Sequence, residues 1–271
     1  MLSASQSIAI AGQKVTMETR LSDFISAGYL VTREVDRPSY VSDLLPARIV
    51  TACGCIAPFV PDTWCIEWTQ DAHERRIESA AAFGLGFQAL EGVTAWATPR
   101  FGKSIHWPNV IVDFETAQEL VRRFLSNVPD VKVLELALHR SMADGFCQKA
   151  EPPPQIPGFA PVGRQGVHEV ILEGKSPSQA GVVLGFEPLV FDNCLSCSWL
   201  CNSLDIVVEQ ALGIKPNRHG LLEWFDDART GIEYVAREEI GAEPGLWLPW
   251  LIIDHTERAN GECVAHSIPC R

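Results

Sequence analysis

Long apolar runs are missing from this chain of 271 residues: the longest, Leu246 to Ile253, is eight residues and contains Pro249. A bilayer-spanning helix needs roughly 20, so no membrane span is predicted. A secretory start is missing too, because Ser3, Ser5, Gln6 and Ser7 interrupt the opening segment and Lys14 comes too late. The cytoplasm is the expected compartment. Basic residues are scarce, 22 against 34 acidic, giving a net charge of −12. Phosphate backbones and anionic lipid bind through Lys and Arg, so neither nucleic acid nor a membrane is an expected partner. Internal repeats, a phosphate-binding P-loop and a GxSxG nucleophile motif are all absent, and Gly84-Leu-Gly86 lacks the third glycine of a dinucleotide fingerprint.

What is present is ordinary for a globular protein, with 46% apolar and 21% charged residues. Val131 to His139 reads as a strand apolar enough to be buried on both faces. Leu246 to Ile253, Val167 to Leu172 and Val182 to Phe191 also read as strands, the last placed at an edge or bulge by Pro188. Ile49 to Trp68 reads as extended and broken at Pro58 and Pro61, and Gln70 to Phe83 as helical. Asp113 is expected to cap a helix whose Ala117, Leu120, Val121, Phe124 and Leu125 share a face. Ser203 to Leu212 is a second helix, stopped by Gly213 and Pro216, and Asp226 is expected to cap a third.

Strands and helices mingle without regular alternation, which predicts an α+β fold with a mixed or antiparallel sheet packed against helices. The prolines between Ser141 and Gln165 mark a seam. It divides the chain into an N-terminal α+β lobe (1–145), a Pro-rich linker or loop (146–166) and an acidic C-terminal α+β lobe (167–271), or crosses one continuous domain.

The acid excess is uneven. Lys and Arg against Asp and Glu number 14 to 17 in residues 1–150 but 8 to 17 in residues 151–271, so −9 of the −12 lies in the second part. Seven carboxylates fall between Leu221 and Glu243, among them Glu223, Asp226, Asp227, Glu238 and Glu239, with Trp224 and Tyr234 beside them. Aromatics supply buried anchors and acids supply fast association with a cationic partner, so these seven residues form the candidate partner-binding surface. Adjacent acids on a helix point in different directions, which favours capping and solvation over paired-carboxylate catalysis.

The other chemical candidate is a set of cysteines. Nine cysteines is an odd number for a disulfide framework, and they read as reduced thiols. Cys194 and Cys197 form a CxxC, Cys201 follows, and Cys263 with His266 repeats the two-residue spacing. Zinc sites are built from two such pairs, so Cys194, Cys197, Cys263 and His266 are an alternative zinc set. Cys201 or Ser203, with His219 or His255 and an acid such as Asp254, is an alternative nucleophile. The single histidines His73, His106, His139 and His168 read as hydrogen-bonded or surface residues.

Trp199-Leu-Cys-Asn202, Gly213-Ile, Asn217 with Gly220-Leu, and Glu243-Pro-Gly-Leu-Trp-Leu-Pro-Trp250 resemble the C-terminal part of bacterial immunity proteins from toxin–antitoxin competition loci, over residues 199–253. The resemblance implies a non-enzymatic cytoplasmic protein without a cofactor, which binds a cognate toxin and occludes a basic surface or active site. The alternative is a zinc-dependent or cysteine-nucleophile enzyme built on the Cys194, Cys197 and Cys201 region.

Overall fold

The structure is a computed structural model, and it describes residues 20–60, 77–78, 80–106, 110–149, 167–192, 195–238, 240 and 245–260. Its strands are β1 (Phe24–Arg33), β2 (Val35–Asp36), β3 (Arg48–Ile49), β4 (Ile105–His106), β5 (Val110–Ile111), β6 (Val131–His139), β7 (Val182–Asp192), β8 (Leu195–Ser198) and β9 (Trp247–Asp254). The helices are α1 (Phe87–Ala97), α2 (Phe114–Leu120), α3 (Arg140–Lys149), α4 (Val167–Leu172), α5 (Leu204–Leu212), α6 (Phe225–Arg237) and α7 (Thr256–Ala259). Seven strands form one sheet in the order β4-β5-β1-β6-β9-β7-β8, and β2 and β3 pair separately. Every ladder is antiparallel, so the expected α+β class holds. β6 and β9 are neighbours, so strands from both sides of the proline-rich seam share the sheet.

The period of two along each strand sorts the core into layers. Leu134, Leu136 and Leu138 of β6 face α3 and α4, where Phe146, Val167 and Ile171 pack with Trp250 and Ile252 of β9. Val131 and Val133 face the other way, into a cluster with Trp96 of α1 and Leu120 of α2. Ala137, Leu251 and Ile253 point to that same side of the sheet but join α5 and α6 through Leu204, Val208, Ala228 and Val235. Between these two clusters, on the β6 face they share, sits the carboxylate of Glu135.

Several expectations hold. β6 spans the predicted Val131–His139, β9 and β7 lie over the predicted runs, and Asp113 caps α2 by accepting from the Thr116 backbone N–H at 2.7 Å. Gly213 closes α5 in a left-handed conformation. Others are corrected. Val167–Leu172 is helix α4, because Val167, Val170 and Ile171 can all be buried on one helical face, whereas alternate residues would be needed for a strand. Pro188 is on neither an edge strand nor the bulge, since β7 lies between β9 and β8; Phe186 turns its N–H and C=O to Leu222, so the missing Pro188 donor also points away from β9, to the side where the β8 ladder starts only at Leu189. The bulge lies between Val183 and Gly185. Gly185 has φ of +143°, and a Cβ there would lie 2.6 Å from the Leu222 carbonyl, which bonds to Phe186.

The segment 50–60 is loop and turn rather than strand, and residues 61–68 lie outside the described ones. Residues 77–78 and 80–82 are helical, and 70–76 lie outside. The first part of the predicted seam is helix α3, since the prolines begin only at Pro152; residues 150–166 lie outside the described ones. Among the described residues no helix is long and apolar enough to cross a membrane.

Candidate functional site

The acidic surface is built on α6. Its inner face is fixed by buried Ala228, Gly231 and Val235, and Gly231 leaves room for Val208 of α5, whose Cγ1 would lie 3.3 Å from an added Cβ. The outer face therefore carries Asp226, Glu233 and the flanking Glu223 and Glu238 into solvent. Asp226 does not cap the helix as expected. The N-cap residue is Trp224, without a side-chain cap bond, and Asp226 and Asp227 occupy the first turn, where the helix dipole still favours negative charge. Asp226 instead meets Arg229 at 3.3 Å, Arg229 also approaches Glu233 at 3.9 Å, and Arg237 pairs with Glu238 at 2.9 Å.

These exposed pairs contribute little stability, and the five described carboxylates Glu223, Asp226, Asp227, Glu233 and Glu238 outnumber the two arginines. Trp224 and Tyr234 are half-buried beside them, whereas Trp199 and Trp250 belong to the core. Glu239 lies outside the described residues.

The cysteines converge differently from the predicted pairing. Cys197 on β8 and Cys201 on the short 3-10 turn Trp199–Asn202 meet Cys53 and Cys55, from the loop after β3. The Cys53 and Cys201 Sγ atoms are 3.0 Å apart, and those of Cys55 and Cys197 3.6 Å. The sulfurs of Cys53, Cys55 and Cys201 all lie within 4.8 Å of one another. Cys194, Cys263 and His266 lie outside the described residues.

Local structure holds each partner. Buried Glu187 on β7 accepts from the Ala52 N–H at 2.8 Å and from the Thr51 hydroxyl, fixing the two residues before Cys53. Asp205, almost without solvent access, accepts from the Ser42 N–H at 2.8 Å and ties the segment ahead of β3 to α5. The β7–β8 register sets Cys197 opposite Val190. The Ser198 hydroxyl caps the turn that carries Cys201, by accepting from the Leu200 N–H at 3.2 Å.

Burial drives the Glu187 carboxyl above its ordinary range, against the bonds from Ala52, Thr51 and Ser198. Crowding shapes the thiols. Contacts from Cys197, Cys201 and Cys53 draw the Cys55 thiol down, whereas contacts with Cys201 and Cys55 push Cys197 up. Cys53 and Cys201 are each favoured as thiolates by one neighbour, Cys201 and Cys197 respectively, but their other sulfur contacts and burial outweigh this and raise them. A cation at the centre would favour the thiolate form of all four. Such a group of sulfurs can capture a soft metal ion or oxidise to disulfides.

The proposed histidine partners of Cys201 are elsewhere. His255 packs against Gly181, just ahead of β7, while Cys197 sits opposite Val190 near its far end. At about 3.4 Å per residue the strand separates them by roughly 27 Å. Asp254 is engaged with Lys132 at 3.0 Å and with the Thr256 N–H at 2.8 Å. His219 is half-buried and accepts from Arg218 at 3.1 Å; its pKa is lowered by burial and by the neighbouring Arg218 and Lys132.

His255 belongs to a buried polar network. Its Nε2 lies 2.8 Å from Glu135 Oε2, and Glu135 also accepts from the Ser26 hydroxyl at 2.6 Å and the Ser178 N–H at 3.2 Å. Burial, followed by the charge of Glu135, pushes the Tyr29 hydroxyl far up. The other histidines are structural: His106 contacts the Lys103 carbonyl, His139 the Ser141 hydroxyl, and His168 stacks on Phe146 at 4.7 Å. His73 lies outside the described residues.

Two features went unread in the sequence. Cys53-Gly-Cys55 is itself a closely spaced pair. Glu135 and Glu187 each interrupt an apolar strand, and a lone carboxylate in that setting signals a buried, bonded group. Compared with known proteins, the chain matches no family model, no curated protein and no solved structure.

Proposed function

We propose that the protein is a non-enzymatic binding protein of the immunity class, which neutralises a cognate bacterial toxin in the cytoplasm by docking a basic surface of it on the outer side of α6. The observation that supports this reading is the excess of carboxylates on and flanking a helix whose inner face is locked into the core, with half-buried Trp224 and Tyr234 beside them. A rigid acidic face with aromatic anchors suits a cationic cleft: charge speeds the encounter, and ring burial slows release. The resemblance over residues 199–253 points to the same class.

The test is affinity capture of the full chain from its host, followed by an activity assay of whatever is retained. The expected result is one basic protein in stoichiometric amount whose toxicity is abolished on binding. A chain that retains no such partner, or a partner held equally well by Trp224→Ala combined with Asp226→Lys and Glu238→Lys, overturns the reading.

A further inference from the structure

The four clustered cysteines have a geometry that packing alone does not explain. Cys53 and Cys201 are 148 residues apart, and Cys55 and Cys197 are 142. Small apolar residues would fill the same space without bringing sulfur to sulfur. Around one tetrahedral zinc, with Zn–S of about 2.3 Å, neighbouring ligand sulfurs lie about 3.8 Å apart. The Cys53–Cys201 and Cys55–Cys197 distances of 3.0 and 3.6 Å fall short of that value by less than an ångström, Cys53, Cys55 and Cys201 lie within 4.8 Å of one another, and Cys197 joins them through Cys55. A four-iron cluster places each thiolate on a different iron and spreads the sulfurs further than this. The Ser198 N–H also points at Cys53 Sγ, at 3.4 Å, a bond of the kind that orients a thiolate ligand.

We propose that Cys53, Cys55, Cys197 and Cys201 bind a single zinc ion as a closed tetrathiolate that fastens the loop after β3 to β8 and the turn beyond it. Four protein ligands fill the tetrahedron and leave no position for water or substrate, so the ion is structural and not hydrolytic. The ligand set is two pairs, CxC and CxxxC, delivered by two segments that the sheet register and the Glu187 carboxylate already hold in place. The ion adds a crosslink between distant parts of the chain, closing a long loop that is costly to order. None of the four ligands belongs to α6, and metal content is read without any partner, so the site is tested separately from the docking proposal.

The test uses the full chain, purified under reducing conditions without chelator or added metal. Elemental analysis is expected to give about one zinc per chain. Chelation and reloading with cobalt(II) is expected to give the visible and near-ultraviolet bands of tetrahedral cobalt–thiolate. Cys55→Ser, at the exposed ligand, and Cys197→Ser are expected to lower zinc content at least tenfold while circular dichroism is retained, with Cys147→Ser, outside the cluster, keeping full occupancy. Removing zinc is expected to lower the melting temperature by about 10 °C and to speed amide exchange over residues 51–57 and 197–203 more than over β6. Less than a tenth of an equivalent of zinc with no cobalt–thiolate bands overturns the proposal. So does stoichiometric iron in its place, or an intact mass showing the four cysteines as two disulfides in protein taken directly from its host.

Discussion

Glu187 has no solvent access and holds the loop before Cys53, so its protonation bears directly on stability. Burial raises its pKa in the folded protein, and the bonds from Ala52, Thr51 and Ser198 only partly offset this. The folded state then binds the proton more tightly than the unfolded chain. The contribution is fully present below the ordinary glutamate range and is lost as pH rises through the raised folded value. Gln cannot ionise and keeps a carbonyl acceptor for the Ala52 N–H. Glu187→Gln is therefore expected to stay within about 1 kcal/mol of the parent at low pH and to lack the decline above it. Glu187→Ala, which leaves the Ala52 N–H and Thr51 hydroxyl without their acceptor, is expected to cost roughly 2–4 kcal/mol. Urea unfolding of the three proteins between pH 4.5 and 8, on the order of half-unit steps, checks both. Parallel curves for parent and Gln variant would refute the assignment.

At the scale of the element, α2 offers the cleanest test, because its cap is a single side chain making two bonds: Asp113 accepts from the Thr116 N–H at 2.7 Å and from its hydroxyl at 2.9 Å. Asp113→Ala is expected to cost about 1 kcal/mol and Asp113→Asn a few tenths, read as shifts in the urea midpoint at constant slope. This cap was legible in the sequence because the signal is local: an Asp followed by apolar residues at helical spacing. β6 and β9 were legible for a similar reason, each being a continuous apolar run of strand length. α4 was not. Val167-His-Glu-Val-Ile-Leu172 is too short for periodicity to separate helix from strand, and only its packing with Phe146 and Trp250 decides. Pro188 misled for a different reason, since its nitrogen points to the side where the β8 ladder begins only at Leu189, a placement that only the fold creates. The cysteine site was half legible: the clustering of thiols near Cys197 and Cys201 was visible, but their partners at Cys53 and Cys55 arrive through the ladder of β7 with β8 and the anchoring of Thr51 and Ala52 by Glu187. Loop closures of that length leave no periodic trace in a sequence.

Across the whole molecule, charge and shape are separated in a way that lets the proposed docking be dissected kinetically. The net −12 acts at long range and is screened by salt, whereas Trp224 and Tyr234 act only on contact. Lysine at Asp226 and Glu238 changes the local charge by +4 on exposed positions in and just after α6 and leaves buried Ala228, Gly231 and Val235 untouched, so the fold is expected to survive. With the captured partner, this double reversal is expected to lower the association rate by about tenfold or more at low salt and to flatten its ionic-strength dependence, with a smaller change in dissociation. Trp224→Ala is expected to do the opposite, raising the dissociation rate by about tenfold with little effect on association. Stopped-flow association and surface-based dissociation at several salt concentrations separate the two. If both variants alter only dissociation, long-range charge has no part in the encounter, and the acid excess on α6 serves solubility; if neither alters either rate, the partner docks on another face. The opposing kinetic signatures bind the reading to α6 itself, because no redistribution of net charge elsewhere on the molecule reproduces the contact effect of Trp224.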